Sequence, residues 1–64
     1  MTDQMVSVSV VLVHTEAVAL AQFVKRVGWS EMRVNAVDDQ EACEIRAGLQ
    51  SLRTALSEAG FAPR

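Results

Sequence analysis

Apolar and polar residues alternate with a two-residue period at only one place, residues 5–13, which read MVSVSVVLV. This period predicts a β-strand with one face turned toward a core. A single strand leaves the N–H and C=O groups of both its edges unpaired, so we expect a second copy of the chain or a different protein to supply its neighbour. The pattern predicts a homodimer joined through this strand, with one face formed by Val6, Val8, Val10 and Leu12.

After residue 13, apolar residues recur at steps of three and four, the spacing of an amphipathic helix. Thr15 is placed to cap this helix, and Gly28 follows the last periodic residue as a left-handed C-cap. Lys25 and Arg26 fall in the last turn, where the helix dipole favours cations. The first helix is predicted over residues 16–27, with an apolar stripe of Ala17, Leu20, Phe23, Val24 and Val27.

Residues 31–37 allow two interpretations. As a short helix, the segment would be capped by Ser30, with Trp29 packed on Val34 as a hydrophobic staple. As a strand, it would use the alternation of apolar and polar side chains over residues 32–36. The helix is favoured because few residues here are β-branched or aromatic. The strand remains an open alternative at the level of sequence.

The longest helix is predicted over residues 39–59. Asp38 and Glu41 have the spacing of a capping box, and Val37 and Ala42 have that of a hydrophobic staple. Apolar residues then repeat at alternating steps of three and four, which predicts a seam that packs lengthwise on another helix. The seam consists of Ala42, Ile45, Leu49, Leu52, Leu56 and Ala59.

Glycine and proline residues are expected to affect the interior and the end of this last helix. Gly60 is expected to be its C-cap, Phe61 to fold back onto its last turn, and Pro63 to prevent the helix from continuing. Gly48 lies in the helix interior, where glycine costs about 1 kcal/mol relative to alanine. Either another backbone approaches closely at Gly48, or the glycine is simply tolerated at the surface.

The composition indicates one folded domain over residues 1–64. The chain has six basic and eight acidic side chains and a formal charge of −2, which disfavours nucleic acid as the main partner. No apolar run is long enough to span a membrane, and no secretory signal is evident, so a cytoplasmic location is expected. A chain this small buries little surface, so association with a partner is an expected source of stability.

Catalytic and metal chemistry find little support in the sequence. With one histidine, His14, and one cysteine, Cys43, the chain can form neither an internal disulfide nor a structural zinc site of its own. We expect His14 to be a surface or capping residue and Cys43 to be a small buried apolar one. Since no nucleophile, nucleotide or metal motif is present, no enzyme activity, metal or cofactor is predicted.

Protein binding is the function that the residues favour. Tryptophan is enriched among residues that dominate interfaces, and carboxylates near a helix start can imitate phosphate toward a basic partner. The predicted partner-binding residues are Trp29, Asp39, Glu41 and Glu44. The mechanism would be occlusion of a basic, nucleic-acid-binding surface.

Two resemblances bear on this interpretation. A strand, a helix that closes at Gly28 and a second helix that opens at Ser30 resemble, over residues 5–37, the ribbon-helix-helix repressors. In those proteins a two-stranded ribbon enters the DNA major groove. Here the groove-facing positions would be Ser7, Ser9 and Val11, which lack the side chains that usually read bases. This alternative function, DNA-binding regulation, would use Lys25, Arg26 and Arg33 on phosphates.

The second resemblance covers the whole chain. Trp29-Ser30, Val37-Asp38-Asp39 and the ending Ala59-Gly60-Phe61-Ala62-Pro63-Arg64 resemble small proteins of proteobacterial plasmids, phages and integrated elements. This resemblance implies a mobile-element accessory protein, a group that includes anti-CRISPR inhibitors of host defence. The combined prediction is a mainly α protein with one N-terminal strand (β-α-α-α) that dimerises through the strand and binds another protein.

Overall fold

The computed structural model describes residues 4–61, and this part of the chain forms three helices. They are α1 (His14–Arg26), α2 (Trp29–Val34) and α3 (Asp39–Glu58). Both α1 and α2 pack against α3, which is therefore the central element of the fold. The segment left open between helix and strand, residues 31–37, is helical as far as Val34 and then forms a turn.

The predicted N-terminal strand is wrong. Residues 4–13 have no regular secondary structure, and no β-strand occurs anywhere within residues 4–61. Alternation fixes only the side-chain period, whereas a strand needs a neighbour whose N–H and C=O groups can complete a ladder. The helices use most of their backbone groups internally, so none of them can be that neighbour. The β-α-α-α order and the strand-joined homodimer are therefore replaced by three helices with an irregular N-terminal segment.

The predicted inner face of this segment points mostly outward. Val6, Val8 and Val10 are exposed, and only Leu12 is half-buried, where it packs against the core.

The boundaries of α1 differ from the predicted ones at both ends. Val13 is the N-cap residue, and its N–H donates to the carboxylate of Glu16 at 3.0 Å, so Thr15 lies inside the helix and is not the cap. At the other end the C-cap Val27 has an extended backbone (φ −63°, ψ 132°). Gly28 has φ −106° and is the N-cap of α2, so the expected left-handed turn at Gly28 does not form.

The short helix α2 begins one residue before its predicted cap, so Ser30 lies inside it. The expected staple between Trp29 and Val34 is wrong, because Trp29 is itself the first helical residue and Val34 is 82% exposed. A hydrophobic staple requires its first member to precede the cap.

The start of α3 agrees with the prediction in its polar part. The N–H of Glu41 donates to Asp38 Oδ1 at 2.8 Å, and the Glu41 carboxylate accepts the N–H of Val37 at 3.0 Å. This second bond reaches one residue further back than in the usual capping box. Val37 is 81% exposed, so the apolar staple with Ala42 is wrong.

The end of α3 is a Schellman motif. Gly60 adopts φ +96°, and its N–H donates to the carbonyl of Ser57 at 3.0 Å. The N–H of Phe61 donates to the carbonyl of Leu56 at 2.8 Å. Both bonds satisfy carbonyls that the helix itself leaves unpaired. The expectations for Gly60 and Phe61 are thus confirmed, and Pro63 lies outside the described residues.

The core is small and rich in alanine. Ala17 and Ala21 of α1 face Leu56 of α3, and Leu12, Leu52 and Phe61 pack around them. Val24 and Ala42 are the other buried apolar residues in the described chain. The α3 seam therefore packs on α1 and α2 of the same chain, although Ala59 at its end is exposed. Alanines on α1 let the two helix axes approach closely, which excludes larger side chains from the contact.

The two glycines of α3 predict opposite changes in stability. A Cβ at Gly48 or at Gly60 would meet no atom within 4 Å, so only the backbone conformation matters. Gly60→Ala should lower the free energy of unfolding by about 1 kcal/mol because of the positive φ. Gly48→Ala should raise it by about 1 kcal/mol because the position is an ordinary helix interior. Urea denaturation measures both, and equal shifts of one sign would contradict the explanation.

Candidate functional site

The described chain exposes an unusual amount of large apolar side chain. Half of these residues belong to the N-terminal segment and the rest lie on α1, on α2 and in the turn before α3. The exposed set is Met5, Val6, Val8, Val10, Val11, Val13, Val18, Leu20, Phe23, Trp29, Val34 and Val37. Large exposed apolar patches on a small protein mark sites of interaction with other molecules.

One apolar groove lies where the C-terminal end of α1, α2 and α3 meet. We call it the Phe23 groove; it is open, has a volume of about 220 Å³, and is lined by Phe23, Val27, Glu31, Met32, Asn35, Ile45 and Leu49. Phe23 is 55% exposed at its edge, although its place in the predicted stripe of α1 implied burial. The Asn35 amide donates to the backbone carbonyl of Glu31 at 2.7 Å, which fixes the polar side of the groove.

A strongly acidic segment borders this groove. Residues 31–44 carry five carboxylates and one basic side chain, Arg33. We call this segment the acidic corner; four of its acidic residues are exposed and Glu41 is half-buried. A surface with this imbalance attracts basic partner surfaces and repels acidic ones.

The predicted partner-binding carboxylates do not form one uniform array. Asp39 Oδ1 accepts the Nε–H of Arg33 at 2.6 Å, and Glu41 holds the cap of α3. Glu44 is exposed and lies five residues beyond Asp39, which turns it about 140° around the helix. Glu44 is therefore the acid whose charge can be changed without disturbing a contact of the fold.

Trp29 contacts α3 at Arg46, on the side of the helix away from Glu44. Its ring is 42% exposed, and the Arg46 guanidinium carbon sits 5.3 Å from the ring centroid. A cation held over an indole face at this distance is a favourable cation–π contact. Because Arg46 and Glu44 are two residues apart on α3, they point about 160° apart around the helix, and one flat partner surface does not reach both.

Of the basic residues of the DNA-binding alternative, Arg33 is engaged in contacts within the chain. Arg33 uses its Nε–H on Asp39, and its Nη1 donates to the carbonyl of Ala36 at 3.1 Å. Lys25 and Arg26 lie in the last turn of α1. Since no strand exists within residues 4–61, the ribbon that would carry Ser7, Ser9 and Val11 into a major groove is also missing there.

His14 and Cys43, the two residues considered for catalytic or metal chemistry, differ in how well their predicted burial agrees with the structure. His14 is an exposed residue at the start of α1, and its ring meets that of Phe61 edge to face at 5.2 Å. Cys43 is exposed, so the expectation that it would be buried is wrong. It follows the buried seam residue Ala42 along the chain but lies about 100° from it around the helix, which turns its thiol out of the contact.

The exposure of Phe23 at the edge of the Phe23 groove could have been predicted from the small residues of α1. The residues that face α3 are Ala17, Ala21 and Val24, spaced by four and three, whereas the predicted stripe contains Leu20 and Phe23 and omits Ala21. Small residues at this spacing are a signal for close helix packing. Once they are assigned to the contact, Phe23 is displaced toward its edge. No sequence signal identifies the exposure of Val34 and Val37.

All 64 residues of the chain match the profile of a known protein family, described as a family of unknown function, DUF7706. The chain belongs to this family. No curated protein and no solved structure matches it.

Two further properties concern membranes and metals. Within the described residues, no helix combines the length and apolarity that crossing a bilayer requires. Over the same residues, no cluster of three or more His, Cys, Asp or Glu side chains is arranged to hold a metal ion.

Proposed function

We propose that this chain is a non-enzymatic protein-binding protein that covers a basic surface of another protein. The observation that carries the proposal is the Phe23 groove beside the acidic corner. An apolar side chain of the partner would enter the groove, and basic side chains around it would face the carboxylates. Interfaces commonly combine a buried apolar anchor with a charged rim of this kind.

The local structure supports a preformed site. Asp38 and Glu41 hold the start of α3, and the Arg33 side chain bridges from α2 to Asp39 across the turn. Carboxylates placed on a turn fixed in this way lose little conformational entropy when a partner binds. The resemblance to proteins of mobile elements supports a target among the nucleic-acid-binding proteins of host defence, whose basic surfaces the acidic corner would occlude.

Glu44 provides the sharpest test. Glu44→Lys should weaken binding of the partner by about tenfold or more, because the new ammonium group faces the partner's basic side chains. Glu58→Lys is the matched control, since it makes the same change of charge at the far end of the same helix. The wild-type chain and both variants would be used as baits in a lysate of the native host, with retained proteins identified by mass spectrometry.

We expect one protein to be retained by the wild type and by Glu58→Lys, and to be lost with Glu44→Lys and with Phe23→Ala. Its capture should fall as the salt concentration rises, because exposed charge pairs are screened. Equal capture by the wild type and Glu44→Lys would refute the role of the acidic corner. A mobility shift of duplex DNA by the wild type at low salt would favour the regulator alternative.

A further inference from the structure

A second and larger apolar groove lies at the opposite end of the fold. It runs between the N-terminal segment and the C-terminal half of α3 and has an open volume of about 380 Å³. We call it the N-terminal groove. One wall of the groove is formed by Val8, Val10 and Leu12 of the N-terminal segment. The other walls include Leu52, Leu56 and Phe61. None of the residues that line it is charged.

The total accessible surface of the chain is larger than that of a compact fold of the same mass. A compact chain of 7.0 kDa exposes about 4,000 Å², whereas this chain exposes 5425 Å². The excess of about 1,400 Å² is larger than the roughly 800 Å² that each partner contributes to a standard interface. The radius of gyration, 12.8 Å, also exceeds the value of about 11 Å for a compact domain of this length.

Because the residues that line the groove are uncharged, they favour a second copy of the chain as the occupant. In a two-fold symmetric contact the same patch meets itself, so a face that carries net charge repels its own copy. The N-terminal groove has only apolar and small neutral residues, and therefore meets this condition. The acidic corner does not meet it, because its carboxylates would face one another. A second copy of the chain is also present wherever the chain folds, and a 64-residue fold with so few buried residues gains stability from it.

We propose that two copies of this chain associate through their N-terminal grooves in a two-fold symmetric dimer. The contact is made by side chains of Val8 and Val10 and by the α3 surface around Ala55. The small, exposed Ala55 allows the partner copy to approach α3 closely. This dimer leaves the acidic corner uncovered, so it goes beyond the binding function proposed above and is compatible with it.

Sedimentation equilibrium of the full chain tests the proposal. The wild type should have twice the mass of the monomer at micromolar concentration. Two variants, the double substitution Val8→Asp with Val10→Asp and the single substitution Ala55→Glu, should each raise the dissociation constant by about a hundredfold or more. All three positions are exposed in the single chain. Val37→Asp, at an equally exposed valine of the acidic corner, is the control and should remain dimeric.

A second measurement does not depend on variants. In a mixture of isotope-labelled and unlabelled wild-type chains, intermolecular NOEs should connect the methyl groups of Val8 and Val10 with the other copy. A wild type that stays monomeric at millimolar concentration would overturn the proposal. So would a dimer whose intermolecular NOEs involve only Trp29 and its surroundings. Dimerisation should persist in 1 M salt because it is apolar, whereas partner binding at the acidic corner should not, so the two proposals fail separately.

Discussion

Leu56→Ala is expected to lower the free energy of unfolding by about 2–3 kcal/mol. Leu56 is the largest of the buried residues in the cluster that joins α1 to α3, and its contacts are the alanines of α1. The loss should fall toward the lower end of the usual range, because Leu56 also lines the open N-terminal groove and water can fill part of the space left behind. For a domain of this size the loss is a large fraction of the total stability.

Urea denaturation at a fixed protein concentration measures this effect. The concentration must be held constant because association would make the midpoint depend on it. Val37→Ala serves as the control: Val37 is 81% exposed, so its truncation should change the free energy of unfolding by less than about 0.5 kcal/mol. If both variants had the same midpoint, the assignment of the core to the α1–α3 contact would be wrong.

The second large effect concerns the close approach of α1 to α3. Ala21→Leu should lower the free energy of unfolding by about 2 kcal/mol, because the longer side chain has no space between α1 and the Leu56 cluster. Ala19→Leu makes the identical change on the exposed side of the same helix. It should be nearly neutral, since alanine and leucine differ little in helix propensity. Circular dichroism during thermal unfolding would show the difference, and equal stability of the two variants would contradict the packing described.

What the sequence predicts well is local. The cap at Asp38, the left-handed Gly60 and the return of Phe61 each depend on hydrogen bonds within a few residues, so the bounds predicted for α3 differ from the observed ones by one residue. The helical state of α2 follows from equally local preferences. These features depend on spacing and residue type, and none of them requires knowledge of the rest of the fold.

What the sequence fails to predict is non-local. The alternation at residues 5–13 is real, but a strand also needs a neighbour, and no other part of the described chain is a strand. The predicted stripe on α1 correctly includes Ala17 and Val24, but it omits Ala21, where a small side chain packs against the Leu56 cluster. It includes Leu20 and Phe23 instead, which are exposed. The spacing of apolar residues shows that one face of a helix or strand is buried, but which face it is depends on how the elements pack together.

In the candidate site, too, the sequence predicts the local features and fails to predict the non-local ones. Sequence spacing places Asp39, Glu41 and Glu44 near the start of the last helix, and α3 contains them there, although Asp39 and Glu44 point about 140° apart around it. It does not reveal that Arg33 pairs with Asp39 or that Glu41 binds the N–H of Val37, since both contacts depend on how the α2–α3 turn closes. The exposure of Phe23 and Cys43 likewise depends on the direction from which the neighbouring helices arrive.

The meeting of His14 with Phe61 has a consequence for the architecture. The first residue of α1 touches the residue that follows the α3 turn, so the start of α1 and the end of α3 are held together. Leu12 connects the segment of residues 4–13 to the core beside this contact. Because residues 4–11 are all exposed, a partner can contact them without displacing a residue of the core.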